Sequence, residues 1–201
     1  MERTIFLVRH GRPDFPDDRL RFLGRTDLSL SEEGIDQARK LAPVFAGHNL
    51  NRVFHSGMKR TSQTASFIFE NAPRDMTIAP ELMEIAFGKW ENLTLEEISE
   101  RSPGTFEARN RDLAGFRPPE GESFKDAQDR AYPAFLKILD STEGDIMIVG
   151  HAGVFKSIIV KILGIPLGQL FSFRLDYCGV TVLTKYDEYL SVRRLNWTPL
   201  I

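Results

Sequence analysis

The stretch Thr4-Ile5-Phe6-Leu7-Val8-Arg9-His10-Gly11 passes from an apolar run straight into a cation, an imidazole and a glycine. β-Branched Thr4, Ile5 and Val8 beside Phe6 and Leu7 read as a short strand buried on both faces, as in parallel sheets. Arg9 and His10 then stand at its carboxyl end. Ligands of open α/β sheets bind outside the carboxyl ends of the strands, so a basic residue, a titratable nucleophile and a flexible glycine there point to an anion site. Taken alone, the same residues also fit a surface loop that merely follows a strand.

Outside this stretch, composition sets bounds. The chain has 201 residues, enough for one sizeable core, and reads as a single domain over residues 1–201. A hydrophobic content of 42% and a charged content of 27% are those of an ordinary globular protein. A formal net charge of −2 draws the chain to neither nucleic acid nor an anionic membrane, so no such partner is expected and any anion specificity must be local. The expected partner is a small molecule. Cys178 is the only cysteine, which excludes an internal disulfide framework and a Cys-based zinc cage. No secretory pattern opens the sequence, and the cytoplasm is the expected compartment. No apolar run approaches the roughly 20 residues of a membrane helix.

Working outward, Arg12 to Asp27 carries proline, glycine and charge without periodicity, a loop over the strand end. Ser29-Leu30-Ser31-Glu32-Glu33-Gly34 supplies cap residues and early carboxylates, after which Ile35, Ala38, Leu41, Ala42 and Phe45 recur at helical spacing. Residues 52–55 read as a second strand, Ser56-Gly57 as its turn, and 58–71 as a helix. Arg60 therefore falls in a helix's first turn, where a cation opposes the dipole unless an anion binds beside it; a solvated arginine is the alternative. Residues 76–79 are a third strand. Residues 81 to about 120 are irregular, acidic and aromatic, with short helices over 94–100 and 106–113. They read as an excursion that covers one end of the sheet, the kind of segment that carries substrate choice. Ser123 caps a helix from Phe124 to about Asp140, in which Pro133 predicts a kink or a break. Asp145–Gly150 is the clearest buried strand, followed by His151-Ala152-Gly153 and another helix. Residues 179–186 and 189–196 alternate as a terminal strand pair, and the strand around Val180 to Leu183 is a candidate for pairing between subunits if it lies at an edge.

Three strand ends thus carry Arg9 with His10, Arg60 just past a turn, and His151. Neighbouring strands lie only about 5 Å apart, so adjacent parallel strands would bring these loops into one crevice. Two arginines and two histidines repel one another without an anion, and a phosphate dianion suits them because guanidinium forks match its oxygens. Phosphoryl transfer asks for in-line attack, charge stabilisation and a proton for the leaving oxygen. An imidazole can attack, giving a phosphohistidine that water hydrolyses, and His10 is the candidate. Glu84 sits beside apolar Met83, Ile85 and Phe87, a surround that can raise a carboxyl group to a general acid, although local sequence alone reads it first as a solvated loop carboxylate. Neither a Gly-x-x-x-x-Gly-Lys phosphate loop nor a His-Glu-x-x-His pair is present, so metal catalysis reads poorly. His48 and His55 read as structural or solvated, and Cys178 as a buried small residue.

With Arg9-His10-Gly11, Arg60, Glu84 and His151 assembled, the sequence resembles the histidine phosphatase superfamily, the phosphoglycerate-mutase-like enzymes. The resemblance runs nearly end to end, through Gly24-Arg25-Thr26-Asp27, Leu30-Ser31-Glu32-Glu33-Gly34, Gln63-Thr64-Ala65, Phe87-Gly88-Lys89-Trp90-Glu91, Pro119-Glu120-Gly121-Glu122-Ser123 and Val149-Gly150-His151-Ala152-Gly153. It implies a three-layer α/β sandwich, with a mainly parallel central sheet flanked by helices and a small cover. It also implies a phosphatase with no metal and no organic cofactor. By resemblance His10 is the phosphorylated nucleophile, Arg9, Arg60 and His151 form the phosphate pocket with Gly24 in the binding set, and Glu84 is general acid and then base.

Departures from the family pattern are local. Arg12 stands where members commonly have Glu or Gln; it adds a contact for an acidic substrate or pairs with Asp14 or Asp17. Asn92 replaces a usual glycine, and Ala152 the first glycine after the second histidine. Glu84 followed by Ile85-Ala86-Phe87-Gly88-Lys89-Trp90 resembles the smaller phosphatases, including α-ribazole phosphatases and broad-specificity phosphomonoesterases, whereas the mutases typically show His-Tyr-Gly there. Three functions share the residue set: a phosphatase for a small phosphorylated metabolite, with α-ribazole phosphate the leading substrate, a phosphoglycerate mutase, and a non-catalytic phospho-ligand binder. The intact Arg9, His10, Arg60 and His151 argue against the last. A monomer or a homodimer is expected.

Overall fold

A computed structural model describes residues 2–199. Its centre is one six-stranded sheet in the order β3-β2-β4-β1-β5-β6. The strands are β1 Glu2–Arg9, β2 Leu50–His55, β3 Met76–Ile78, β4 Asp145–Gly150, β5 Val180–Tyr186 and β6 Tyr189–Trp197. β1, β2, β3 and β4 run parallel, whereas β5 is antiparallel to β1 and β6 antiparallel to β5. The six helices are α1 Glu32–Phe45, α2 Lys59–Ile68, α3 Leu95–Arg101, α4 Thr105–Arg111, α5 Phe124–Asp140 and α6 Ala152–Leu163.

Side-chain alternation along the strands builds the layers. Ile5 and Leu7 of β1, with Ile146 and Ile148 of β4, pack on Phe135 and Leu139 of α5 and on Phe155 and Ile159 of α6. Phe6 and Val8, with Met147 and Val149, face the other way onto Leu41 and Phe45 of α1 and Ala65 and Ile68 of α2. Both faces are covered, which is why these strands are apolar without interruption. The result is the α/β sandwich that the resemblance implies.

Three expectations about elements change. The strand around Val180 to Leu183 has no free edge, because β5 pairs with β1 on one side and β6 on the other; β6 is the edge instead. Pro133 does not break α5, which is helical from Phe124 to Asp140. Pro133 and Asp129 both lie on the exposed face, so the carbonyl that proline leaves unpaired there faces water. Helix α2 stops at Ile68, short of Asn71, and Phe69 leaves helical geometry to enter the core.

The register levels the strand ends. Arg9 pairs with Gly150, and His55 with Val149, so the residues that follow β1, β2 and β4 emerge side by side. His10 N–H donates to Gly150 O at 3.0 Å, which ties the first of these ends to the third. Between β3 and α5 the chain carries two short 3₁₀ turns, Pro80–Leu82 and Gly88–Trp90, and then α3 and α4. Phe22 meets Phe87 and Trp90 edge-on at ring-centre distances of 5.2 and 5.6 Å, and Trp90 stacks on Phe116 at 5.3 Å. Asn92, in the usual place of a glycine, has φ +59°, a left-handed conformation that asparagine tolerates better than most residues.

Candidate active site

His10 is buried behind the cavity mouth, and its Nδ1 lies 2.7 Å from Gly11 O. A carbonyl only accepts, so Nδ1 carries the proton and Nε2 the lone pair of the neutral ring. Burial, followed by the charges of Arg60 and Arg9, holds His10 well below the ordinary imidazole range. The ring is thus neutral, with a fixed tautomer. Gly11 N–H donates to Thr64 Oγ1 at 3.0 Å, and that hydroxyl donates to Arg60 O at 2.6 Å, so α2 and the end of β1 hold one another.

Arg9 donates from Nη1 to Leu175 O at 2.7 Å, and its Cζ lies 3.9 Å from the centre of the Tyr177 ring. Arg60 is fully buried. Its two Nη groups donate to Thr26 O at 2.9 Å and Gly24 O at 2.6 Å. These carbonyls answer part of the objection to a cation in the first turn of α2. Among the described residues, Arg60 Nε has no hydrogen-bond partner, nor do Arg9 Nε and His151 Nδ1.

The protons around His151 can be counted. Thr61 Oγ1 donates to Met58 O at 2.8 Å, so Ser56, 2.9 Å from Thr61 Oγ1, must donate to it. Ser56 has then spent its proton, and His151 Nε2, 2.8 Å away, is the donor to Ser56 Oγ. Burial first, then Arg60, His10 and Arg9, holds His151 far below the usual imidazole range, so the ligand-free ring is neutral with its lone pair on Nδ1. The ring centres of His10 and His151 are 5.2 Å apart.

Glu84 is buried as well, yet it does not sit in the purely apolar surround suggested by its sequence neighbours. Oε1 accepts from Ile85 N–H at 3.0 Å and Val154 N–H at 3.1 Å, and Oε2 from Gly153 N–H at 3.0 Å. The carboxylate therefore docks on the N-terminal turn of α6, directly after His151, where backbone donors and dipole favour an acid. Ala152 opens that helix in an ordinary helical position, so the glycine usual there is dispensable.

Two further residues were not evident from the sequence. Glu91 accepts from Gly24 N–H, Arg25 N–H, Thr26 N–H, Thr26 Oγ1 and Phe87 N–H, at 2.8 to 3.2 Å. It thereby fixes the loop whose carbonyls hold Arg60. Gly24 serves in the same way, through its carbonyl on Arg60. Tyr177, in an irregular stretch before β5, underlies Arg9 and faces His10 at a ring distance of 5.7 Å. Arg12 does not join the set: its guanidinium pairs with Asp18 at 2.8 Å and Glu33 at 3.1 Å, carboxylates other than the Asp14 and Asp17 expected.

Arg9, His10, Glu84, Gly153 and Tyr177 line a cavity of about 700 Å³ whose remaining wall is largely apolar and includes six phenylalanines. Among the described residues, no group of three His, Cys, Asp or Glu side chains is placed to hold a metal ion, and no helix is long and apolar enough to cross a membrane.

Comparison with known proteins places this geometry. Adenosylcobalamin/alpha-ribazole phosphatase of Salmonella typhimurium is 28% identical over 201 residues, covering 97% of this chain and 98% of the relative. The crystal structure of the alpha-ribazole phosphatase from Shigella flexneri superposes with a TM-score of 0.88 at 25% identity, covering 97% of this chain and 96% of that one. Bacillus stearothermophilus YhfR superposes with a TM-score of 0.86 at 29% identity, over 94% and 95% of the two chains. The model of the histidine phosphatase superfamily (branch 1) matches residues 5–198, and the chain belongs to that family.

Proposed function

We propose that the chain is a phosphomonoester hydrolase that works through a phosphohistidine on His10. The observation that carries this reading is the set of unpartnered buried donors and acceptors. Of five buried side-chain polar atoms without a partner among the described residues, three are Arg9 Nε, Arg60 Nε and His151 Nδ1, on the two arginines whose charges act on His10 and on the histidine whose ring lies 5.2 Å from it. Buried polar groups are normally paired, and an oxyanion that received all three would supply what they lack. His151 would take up a proton as the dianion enters, turning Nδ1 into a third donor.

Chemistry then follows from the positions. His10 Nε2 attacks phosphorus in line as the ester P–O bond breaks, and Glu84, which enters the step as the neutral carboxylic acid, gives its proton to the departing oxygen. Oε2, with a single N–H partner, keeps lone-pair capacity for that proton. Water next attacks phosphorus, Glu84 takes its proton, the P–N bond breaks and His10 is restored. Arg9 and Arg60 meet the charge on the transferring oxygens.

The cavity suits an organic leaving group with a flat apolar part. The names of the relatives make α-ribazole phosphate the first substrate to test, and a small phosphorylated metabolite with one cysteine in the chain suits a cytoplasmic enzyme. The test is phosphate release from α-ribazole phosphate and phenyl phosphate with EDTA present. Turnover that survives EDTA and disappears in His10→Ala supports the reading. Turnover that His10→Ala retains, or that EDTA abolishes, refutes it.

A further inference from the structure

Arg109, in the last turn of α4, lines the same cavity as His10 but takes no part in the chemistry above. Its Cζ lies 5.5 Å from the ring centre of Phe171, 5.6 Å from Phe106, 5.8 Å from Phe22 and 6.0 Å from Phe124. Four neutral rings stabilise a cation through their quadrupoles, but they give its N–H groups no acceptor. No hydrogen bond or ion pair satisfies Arg109 among the described residues.

The other charges of the cavity wall are spoken for. Arg19 pairs with Asp17 and Glu97, and Arg21 with the same two carboxylates. Glu84 is held by the start of α6 and Glu96 by Thr94 at the start of α3. Burial lowers the Arg109 guanidinium from its ordinary range, and no carboxylate acts to restore it. The cations that act on His10 are Arg60 and Arg9. A partly buried charge without a counter-ion is costly, and Arg109 lines the cavity, where a bound anion can supply one.

We propose that Arg109 anchors a second oxyanion on the substrate, carried by the leaving group beyond a flat apolar spacer that lies along the phenylalanines. A guanidinium takes a carboxylate or a phosphate bidentately, and the rings around it exclude water that would otherwise screen the pair. The inference rests on the reading of His10 as the phosphate end of the cavity, and narrows it. A ribazole phosphate would fill the aromatic part and leave Arg109 without its anion, so the preferred substrate carries one more negative group than that.

The test measures binding, which does not depend on turnover. Phenylphosphonate and biphenylphosphonate are titrated calorimetrically against their para-carboxy derivatives, using the wild type, Arg109→Gln and Arg109→Lys. On at least one spacer the carboxylate should bind about tenfold to a hundredfold tighter than its parent. The gain should vanish in Arg109→Gln, survive in part in Arg109→Lys, and shrink with added salt. Because each protein is compared with itself, a general loss of packing does not mimic this pattern. Carboxylates that bind no tighter than their parents on either spacer, or a gain that persists in Arg109→Gln, overturn the inference. A protein that shows the preference yet releases no phosphate from phenyl phosphate keeps the inference and refutes the phosphatase reading.

Discussion

At Gly153 a side chain has no room: a Cβ there would come within 2.7 Å of Glu84 Oε1. Gly153→Ala must push the carboxylate off the α6 terminus or shift the backbone beneath it, so it should slow alkyl phosphates roughly a hundredfold while costing about 1–3 kcal/mol of stability. Glu84→Gln, which has no proton to give, should slow poor leaving groups roughly a hundredfold to ten-thousandfold and good aryl leaving groups less. Steady-state kinetics on alkyl and aryl phosphates checks both variants, and equal slowing of the two substrate classes would remove Glu84 from acid–base duty. Arg9, His10 and His151 are legible in the sequence because each directly follows, or ends, an apolar strand. Glu84 is legible only through the family resemblance, since nothing in its own irregular segment shows that its carboxylate reaches the amino end of α6. Arg12 reads as a cation at the mouth, but its partners Asp18 and Glu33 are set by folding rather than by spacing.

Between elements, the position of Arg60 depends on a relay. Glu91, just after the 3₁₀ turn Gly88–Trp90, binds the loop at residues 24–26, and that loop's carbonyls aim Arg60 from α2. Glu91→Ala removes every one of these anchors, so it should lower stability by about 2–4 kcal/mol. It should also weaken binding of inorganic phosphate, with KM rising more than kcat falls. Urea unfolding and calorimetry would show this, and unchanged phosphate affinity would detach Glu91 from Arg60. The helices and strands themselves are largely readable. Ser31 and Ser123 cap α1 and α5 through their hydroxyls as their positions suggest. What is not readable is the relay, because Glu91 lies in an aromatic, aperiodic segment whose hydrogen bonds go to a loop more than sixty residues earlier.

For the molecule as a whole, strand order is the decisive fact, and it is the part least legible in the chain. β4 enters the sheet between β1 and β2, which sets His151 against His10 and Ser56. Parallel, buried strands follow from apolar runs, whereas insertion of a late strand between two early ones follows from how α5 and α6 pack together on one face. That placement has a global consequence. His10 and His151 are both held well below the ordinary imidazole range, first by burial and then by Arg60 and the other nearby cations. The unfolded chain therefore binds more protons than the folded one below pH about 6.5, and stability is lost as pH falls through that value. Each ring contributes about 1.4 kcal/mol per pH unit. Sulfate, a dianion that favours imidazolium, should offset part of the loss. Urea midpoints between pH 7 and 5, with and without sulfate, check this, and His151→Gln should flatten the dependence.

The most direct measurement of the central claim is rapid acid-free quenching of the enzyme during turnover of phenyl phosphate, followed by mass spectrometry of the peptides. A phosphoryl group is expected on the peptide that contains His10, alkali-stable and lost in acid, and absent in His10→Ala. Phosphate release with no covalent intermediate, or with the label on Ser56 or His151 instead, would contradict it.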